Sequence, residues 1–127
     1  RAGKAHGLDL IHLLAPTSTQ ARIDLVREHA SGFVYYVSMA GVTGTRVSDV
    51  GEVRRGIERI RGAVNAPVCV GFGITTPDDV AALAPHADGV VVGSALVRHC
   101  ETHASDSTLL AKVIEDAVRA LKGATRA

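Results

Sequence analysis

The chain has 127 residues, the length of one domain, and 46 % of them are apolar while only 3 % are aromatic, which predicts an aliphatic core. A net charge of +1 gives no electrostatic reason to expect nucleic acid or an anionic membrane as a partner. No apolar stretch is long enough to span a bilayer. The two cysteines, Cys69 and Cys100, form no disulfide pattern and indicate a reduced, cytoplasmic protein.

Apolar runs alternate with amphipathic stretches along the whole chain. Strands are expected at 8–14, 33–38, 68–72 and 90–92. After a helix end at 1–6, helices are expected at 20–29, 50–64, 77–84, 94–103 and from 106 or 107 to about 121. Strands that alternate with helices imply a parallel sheet with right-handed crossovers. The pattern therefore predicts an α/β protein of four β/α units.

Polar residues mark the expected helix starts. The run Thr76-Pro77-Asp78-Asp79 combines a hydroxyl cap, a proline at the first helical position and acids in the first turn. Either Ser48 or Asp49 is expected to cap the preceding helix. That helix contains Gly56, which weakens a helix by about 1 kcal/mol relative to alanine.

Two glycine-rich stretches, 68–75 and 90–96, each follow an apolar strand. Gly73 and Gly93 let a ligand approach the main chain, and Ser94 begins a helix whose dipole favours an anion. Loops of this kind predict a phosphate site built from backbone N–H groups. The alternative is that the glycines only permit tight turns.

With these loops, the sequence resembles the tryptophan synthase alpha chain family. Residues 32–44, 66–75 and 87–97 resemble its sixth, seventh and eighth strands with their loops, and 6–17 resembles its fifth. The match runs in order through nearly all of the chain, and Gly41-Val42-Thr43-Gly44 makes it specific. It implies the carboxy-terminal half, units five to eight, of a (β/α)8 TIM barrel, with 1–127 as a single domain.

The resemblance also implies a lyase of tryptophan biosynthesis. That family cleaves indole-3-glycerol phosphate to indole and glyceraldehyde 3-phosphate by a retro-aldol step, and passes indole to a beta chain in an alpha2-beta2 complex. The alpha chain uses no cofactor, since pyridoxal phosphate belongs to the beta chain. Its catalytic glutamate and aspartate lie in the first half of the barrel. We therefore expect no catalytic acid or base in this chain, and no activity from the chain alone.

The resemblance assigns roles to seven residues. Phosphate contacts are expected from backbone groups of four of them: Gly44, Gly73, Gly93 and Ser94. Thr43 is expected to act when the loop after the sixth strand closes, as opposed to lying in an ordinary flexible loop. Tyr35 and Phe72 are expected beside the substrate, with barrel filler and core as their alternatives, and Tyr36 should point to the opposite face from Tyr35.

Other interpretations stay open. His99 and His103 are spaced for one helix face, but no third ligand is evident and no metal site is expected. Another phosphate-binding barrel enzyme, such as an indole-glycerol-phosphate synthase or a phosphoribosyl isomerase, would share the seventh and eighth loops, although the loop 41–44 argues against it. A non-catalytic half-barrel that binds phosphate or self-associates is the third hypothesis.

Overall fold

A computed structural model of the chain describes residues 2–38 and 49–126. Its strands are β1 His12–Leu14, β2 Val34–Val37, β3 Val68–Gly71 and β4 Gly89–Val91. Its helices are α1 Ala2–Ala5, α2 Gln20–His29, α3 Val50–Arg61, α4 Pro77–Leu83, α5 Ser94–His103 and α6 Ser107–Ala124. None of these helices is long and apolar enough to cross a membrane.

The four strands form one parallel sheet in the order β1-β2-β3-β4. This arrangement confirms the four β/α units that the sequence predicts. The first strand is shorter than expected, since only residues 12–14 pair with β2. The reason lies in the neighbouring strand: β2 begins at Val34, which is paired with His12, so residues 8–11 have no partner in β2.

Two helix ends also differ from the expectation. α3 ends at Arg61 rather than Val64, and it is followed by a turn in which the amides of Ala63 and Val64 both donate to the carbonyl of Ile60. α6 continues to Ala124, about one turn past Leu121.

The core lies on one face of the sheet, between the strands and the helices. Alternate strand residues are fully buried there, and they pack with apolar residues of α2, α3 and α4. The buried strand residues are Leu14, Val34, Tyr36, Val68 and Val70. The opposite face carries Leu13, Tyr35, Cys69 and Val91, and Leu13 is 56 % exposed. The described residues therefore cover only one of the two faces of the sheet.

The two tyrosines of β2 point to opposite faces, as predicted. Tyr36 is 2 % exposed and its hydroxyl lies against Gly56 of α3. Tyr35 lies on the uncovered face, with its hydroxyl over Gly71 of β3. Gly56 is therefore explained by tertiary packing, because a β-carbon at this position would overlap the Tyr36 ring and hydroxyl.

Side-chain caps open four helices. The capping oxygens belong to Thr19, Asp49, Thr76 and Asp106. Of the two candidates for the cap of α3 it is thus Asp49 that caps the helix, and the last helix is capped by residue 106 and begins at 107. At α4 the Asp79 carboxylate accepts hydrogen bonds from the amides of Thr75 at 3.0 Å and Thr76 at 2.9 Å. Burial raises the pKa of Asp79, but the hydrogen bonds from Thr75 and Thr76 outweigh it and leave the pKa below its usual value.

We predict that Gly56→Ala destabilises the chain, although alanine is the better helix former. The gain in helix propensity is about 1 kcal/mol, whereas forcing a methyl group into a packed contact costs roughly 1–3 kcal/mol. The free energy of unfolding should therefore fall by up to about 2 kcal/mol in urea titrations followed by circular dichroism. Gly123→Ala in α6 is the matched control, because a β-carbon there meets no atom within 4 Å. It should leave stability unchanged or raise it; a similar loss from both variants would contradict the packing argument.

We predict that Asp79→Asn lowers the free energy of unfolding at neutral pH by about 0.5–1 kcal/mol, because a neutral amide is a weaker acceptor for the two amides. The folded-state pKa lies below the unfolded value of about 3.9, so the stabilisation is present above that value and is lost as the pH falls through the folded pKa. The parent and the variant should thus converge once the pH has fallen below the folded-state pKa of Asp79.

The neighbouring variant Asp78→Asn is the control for Asp79. It removes an equal charge from the same first turn, and it retains the capping box of Thr76 and Asp79. Its effect should be limited to the smaller interaction of a carboxylate with the helix dipole, about 0.3–1 kcal/mol at low salt. Equal pH profiles for the two variants would show that the hydrogen bonds to Asp79 are not the source of the effect.

Candidate phosphate-binding site

The carboxyl ends of β3 and β4 lie side by side. Gly71 is paired in register with Val91, and both strands end at these residues. The chain therefore leaves the sheet at the same edge after both strands. Gly73 lies two residues beyond Gly71, and Gly93 lies two residues beyond Val91. The edge at the carboxyl ends of parallel strands is where ligands bind in α/β proteins.

The turn after β3 has an uncommon backbone conformation. Phe72 has a φ of +94° and Gly73 has a φ of +72°. A positive φ suits Gly73 but strains Phe72, and strain of this kind is found preferentially at functional sites. Buried Ile74 and the bonds from Thr75 to Asp79 hold the far side of the turn. The Phe72 ring is 55 % exposed as a result.

The turn after β4 leads directly into α5. Gly93 is the N-cap residue, and it offers no side chain to accept from the first amides of the helix. Its carbonyl accepts from the amides of Leu96 at 2.9 Å and Val97 at 3.1 Å, so α5 is well formed at this end. The amide groups at the start of a helix, together with its dipole, favour an anion. Ser94 is exposed at the same place and adds a hydroxyl group.

The tight-turn alternative explains only one of the two glycines. Gly73 has the left-handed backbone that favours glycine. Gly93 has a φ of −118°, which other residues adopt, and a β-carbon there would meet nothing within 4 Å. Neither backbone nor packing therefore requires glycine at position 93. Open space in front of a helix start fits a site that a ligand approaches.

The predicted substrate residues lie near this edge. Tyr35 is on the uncovered face, where its hydroxyl reaches over Gly71 beside Val91. Phe72 directly follows Gly71. The structure thus brings Tyr35 and Phe72 to the same strand ends as Gly73, Gly93 and Ser94. Thr43 and Gly44 lie outside the described residues.

One residue at this edge was not singled out from the sequence. Ser38 is 1 % exposed, and its hydroxyl and its amide donate to the carbonyl of Gly71 at 3.0 Å and 3.1 Å. It therefore ties the end of β2 to the end of β3. A polar residue placed directly after the apolar strand was the available signal.

In the described part of the chain, the two histidines of α5 do not form part of a metal site. No group of three or more histidine, cysteine or acidic side chains is placed there to hold an ion. His99 and His103 remain a pair on one helix.

Comparison with known proteins points to one family. Residues 1–126 match the family model described as tryptophan synthase alpha chain. The tryptophan synthase alpha chain of Caulobacter vibrioides is 54 % identical over 101 residues, which are 80 % of this chain and 37 % of that protein. That of Geobacter sulfurreducens is 56 % identical over 93 residues, or 73 % of this chain and 35 % of that protein. The chain thus spans just over a third of the length of these relatives.

A solved structure gives the same answer for the fold. Tryptophan synthase subunit alpha from Legionella pneumophila superposes with a TM-score of 0.83 at 29 % identity, over 97 % of this chain and 44 % of that one. Such neighbours are TIM barrels, so the four parallel β/α units correspond to part of a (β/α)8 barrel, as the resemblance implied. The family match runs through almost the whole chain, and the chain belongs to the tryptophan synthase alpha chain family.

Proposed function

We propose that this chain supplies the phosphate-binding part of a carbon–carbon lyase that cleaves indole-3-glycerol phosphate to indole and glyceraldehyde 3-phosphate. The observation that carries the proposal is the placement of two glycine turns at neighbouring strand ends, at Gly73 and at Gly93-Ser94. Backbone N–H groups there would hold the phosphate. Membership of the family supports this choice of substrate.

Within this proposal the other site residues position the rest of the substrate. Phe72 would pack against the indole ring, and Tyr35 would line the space between ring and phosphate. Thr43 and Gly44 would act in closing the site, with Gly44 adding a phosphate contact. A phosphate held far from the reacting bond fixes the orientation of that bond, and binding energy from remote groups supports catalysis in this way.

The acid and base of the reaction are proposed to lie outside this chain. A retro-aldol cleavage needs a base to take a hydroxyl proton and an acid to protonate the leaving carbon. Among the described carboxylates, Asp79 follows the carboxyl end of β3 and is engaged in capping α4. Asp88 lies at the starts of β3 and β4, on the opposite edge of the sheet, and accepts from Arg61 at 2.7 Å and from the amide of Val68 at 2.8 Å.

We further propose the family's usual partner and setting. The partner is a tryptophan synthase beta chain, which carries pyridoxal phosphate, while this chain needs no cofactor of its own. A cytoplasmic location accords with the two free cysteines, Cys69 and Cys100. Residues 1–127 are proposed to form one domain, equivalent to the carboxy-terminal half of the barrel.

A test of the phosphate role is Gly93→Asp. A carboxylate at the N-cap would repel the anion and compete for the same amides, so affinity for inorganic phosphate or glyceraldehyde 3-phosphate should fall about tenfold or more. Titration calorimetry measures this directly. Gly93→Asn is the matched control, since asparagine caps a helix as well as aspartate does but carries no charge. Equal phosphate affinity of the parent and the Gly93→Asp variant would show that phosphate does not bind at these turns.

A second test concerns catalysis. The purified 127-residue chain should give no detectable cleavage of indole-3-glycerol phosphate, because general acid–base catalysis typically supplies about 10²- to 10⁴-fold of rate. Release of indole, assayed beside a full-length relative, measures this. Turnover by the chain itself, free of any full-length enzyme, would mean that the acid and the base lie within it.

The uncovered sheet face favours the alternative of a self-associating half-barrel for the isolated chain. Leu13 is 56 % exposed there, and β1 and β4 each pair with a single strand among the described residues. Exposed apolar faces and open strand edges promote association. We predict a mass that rises with concentration in sedimentation experiments.

Two substitutions locate the surface responsible. Leu13→Lys places a charge on the uncovered face and should shift the chain toward monomer. Leu25→Lys on α2 is the control, because Leu25 is 51 % exposed, close to the 56 % of Leu13, but lies on the helix layer. A compact monomer at every concentration, without binding of apolar dyes, would contradict the half-barrel proposal.

A further inference from the structure

A cavity lies on the helix side of the sheet, away from the uncovered face. It has a volume of about 210 Å³ and is open to solvent. The loop after β1, the helices α2 and α3, and Tyr36 of β2 enclose it. Its size is below the roughly 300–1,000 Å³ of pockets for drug-sized ligands, so it fits a small molecule.

The inner end of this cavity carries a hydroxyl group. Tyr36 is 2 % exposed, yet its hydroxyl lines the cavity and has no hydrogen-bond partner among the described residues. The hydroxyl is reached from the cavity, so a ligand that accepts a hydrogen bond from it gains affinity. Burial and the charge of Glu52 raise the pKa of Tyr36, while Arg59 lowers it. The net rise keeps the phenol protonated, as a donor.

Two guanidinium groups line the same cavity. Arg55 and Arg59 are four residues apart on α3, which places both on one helix face. Like charges at this spacing disfavour each other unless an anion lies between them. Arg59 is held in place by donating to the carbonyl of Ser18 at 3.1 Å. Among the described residues, Arg55 has only a long, exposed contact of 4.0 Å with Asp49, so its donors are available to a ligand.

The remaining lining sets the character of the ligand. Among the described residues that line the cavity, Glu52 is the one acid and two are arginines, so the balance of charge is positive. Pro16 and Ile23 provide an apolar wall. Guanidinium groups bind carboxylate and phosphate oxygens in a planar fork.

We propose that this cavity binds a small metabolite with one carboxylate or phosphate group, held by the Arg55 and Arg59 guanidinium groups and the Tyr36 hydroxyl. The apolar part of the molecule lies against Pro16 and Ile23. This site is separate from the turns at Gly73 and Gly93, since it lies on the other face of the sheet and uses α3.

Amide NMR of the full 127-residue chain tests the proposal with inorganic phosphate and acetate as separate probes. Signals of Gly56 and Arg59 report on the cavity, and those of Gly93 and Ser94 report on the turns, so the two sites are read independently. Both probes should shift the cavity signals at millimolar concentrations. If only one probe shifts these signals, the ligand carries the corresponding group, a phosphate or a carboxylate.

Three variants test which groups bind. Tyr36→Phe retains the ring and removes the hydroxyl, and it should weaken anion binding at the cavity about tenfold, as expected for a hydrogen bond to a charged group. Arg55→Gln should weaken it by a similar factor. Arg54→Gln is the matched control, because Arg54 is on the same helix but pairs with Glu58 and does not line the cavity. It should change affinity less than twofold, in keeping with a screened surface charge.

Three results would overturn the proposal. The first is that cavity signals stay unchanged at tens of millimolar probe, whether or not Gly93 and Ser94 respond. The second is that Tyr36→Phe binds as the parent does. The third is that Arg54→Gln and Arg55→Gln weaken binding equally, which would indicate a general surface charge effect. None of these results depends on the function proposed for the turns.

Discussion

The parallel pairing of β3 with β4 is the constraint on which the candidate phosphate site depends. Gly71 lies opposite Val91, and both strands end there, so two turns separated by a whole helix in sequence emerge side by side. Ser38 holds the end of β2 at the same place, because its hydroxyl and its amide both donate to the carbonyl of Gly71. A slip of one residue would move the turns apart and would exchange the two faces of the strand.

Residue size on both faces of the sheet decides where the tyrosine hydroxyls go. Tyr36 reaches α3 because Gly56 has no side chain, and Tyr35 crosses β3 because Gly71 has none. Consecutive residues of one strand therefore send hydroxyl groups in opposite directions. One reaches the edge with the glycine turns, and the other ends in the cavity beside Arg55 and Arg59.

The two faces of the sheet differ in burial, and this difference agrees with a chain that covers part of a barrel. The helix face holds the core, whereas the other face leaves Leu13 more than half exposed. In a barrel, that second face lines the interior and is filled by side chains from other strands. The same chain can thus have a well-packed core on one face and an open face on the other.

Local chemistry in the sequence determined much of this protein. Hydrophobic periodicity located α2 at residues 20–29 and α5 at 94–103, and strand-end glycines pointed to the two turns of the candidate phosphate site. The sequence did not determine the start of β1, the reason for Gly56, the positive φ of Phe72 or the double bond from Ser38 to Gly71. These features depend on which strand lies beside which and on the space between a strand and a helix. Periodicity and capping act over a few neighbouring residues, whereas register and close packing join residues far apart in the chain, so only the tertiary structure decided them.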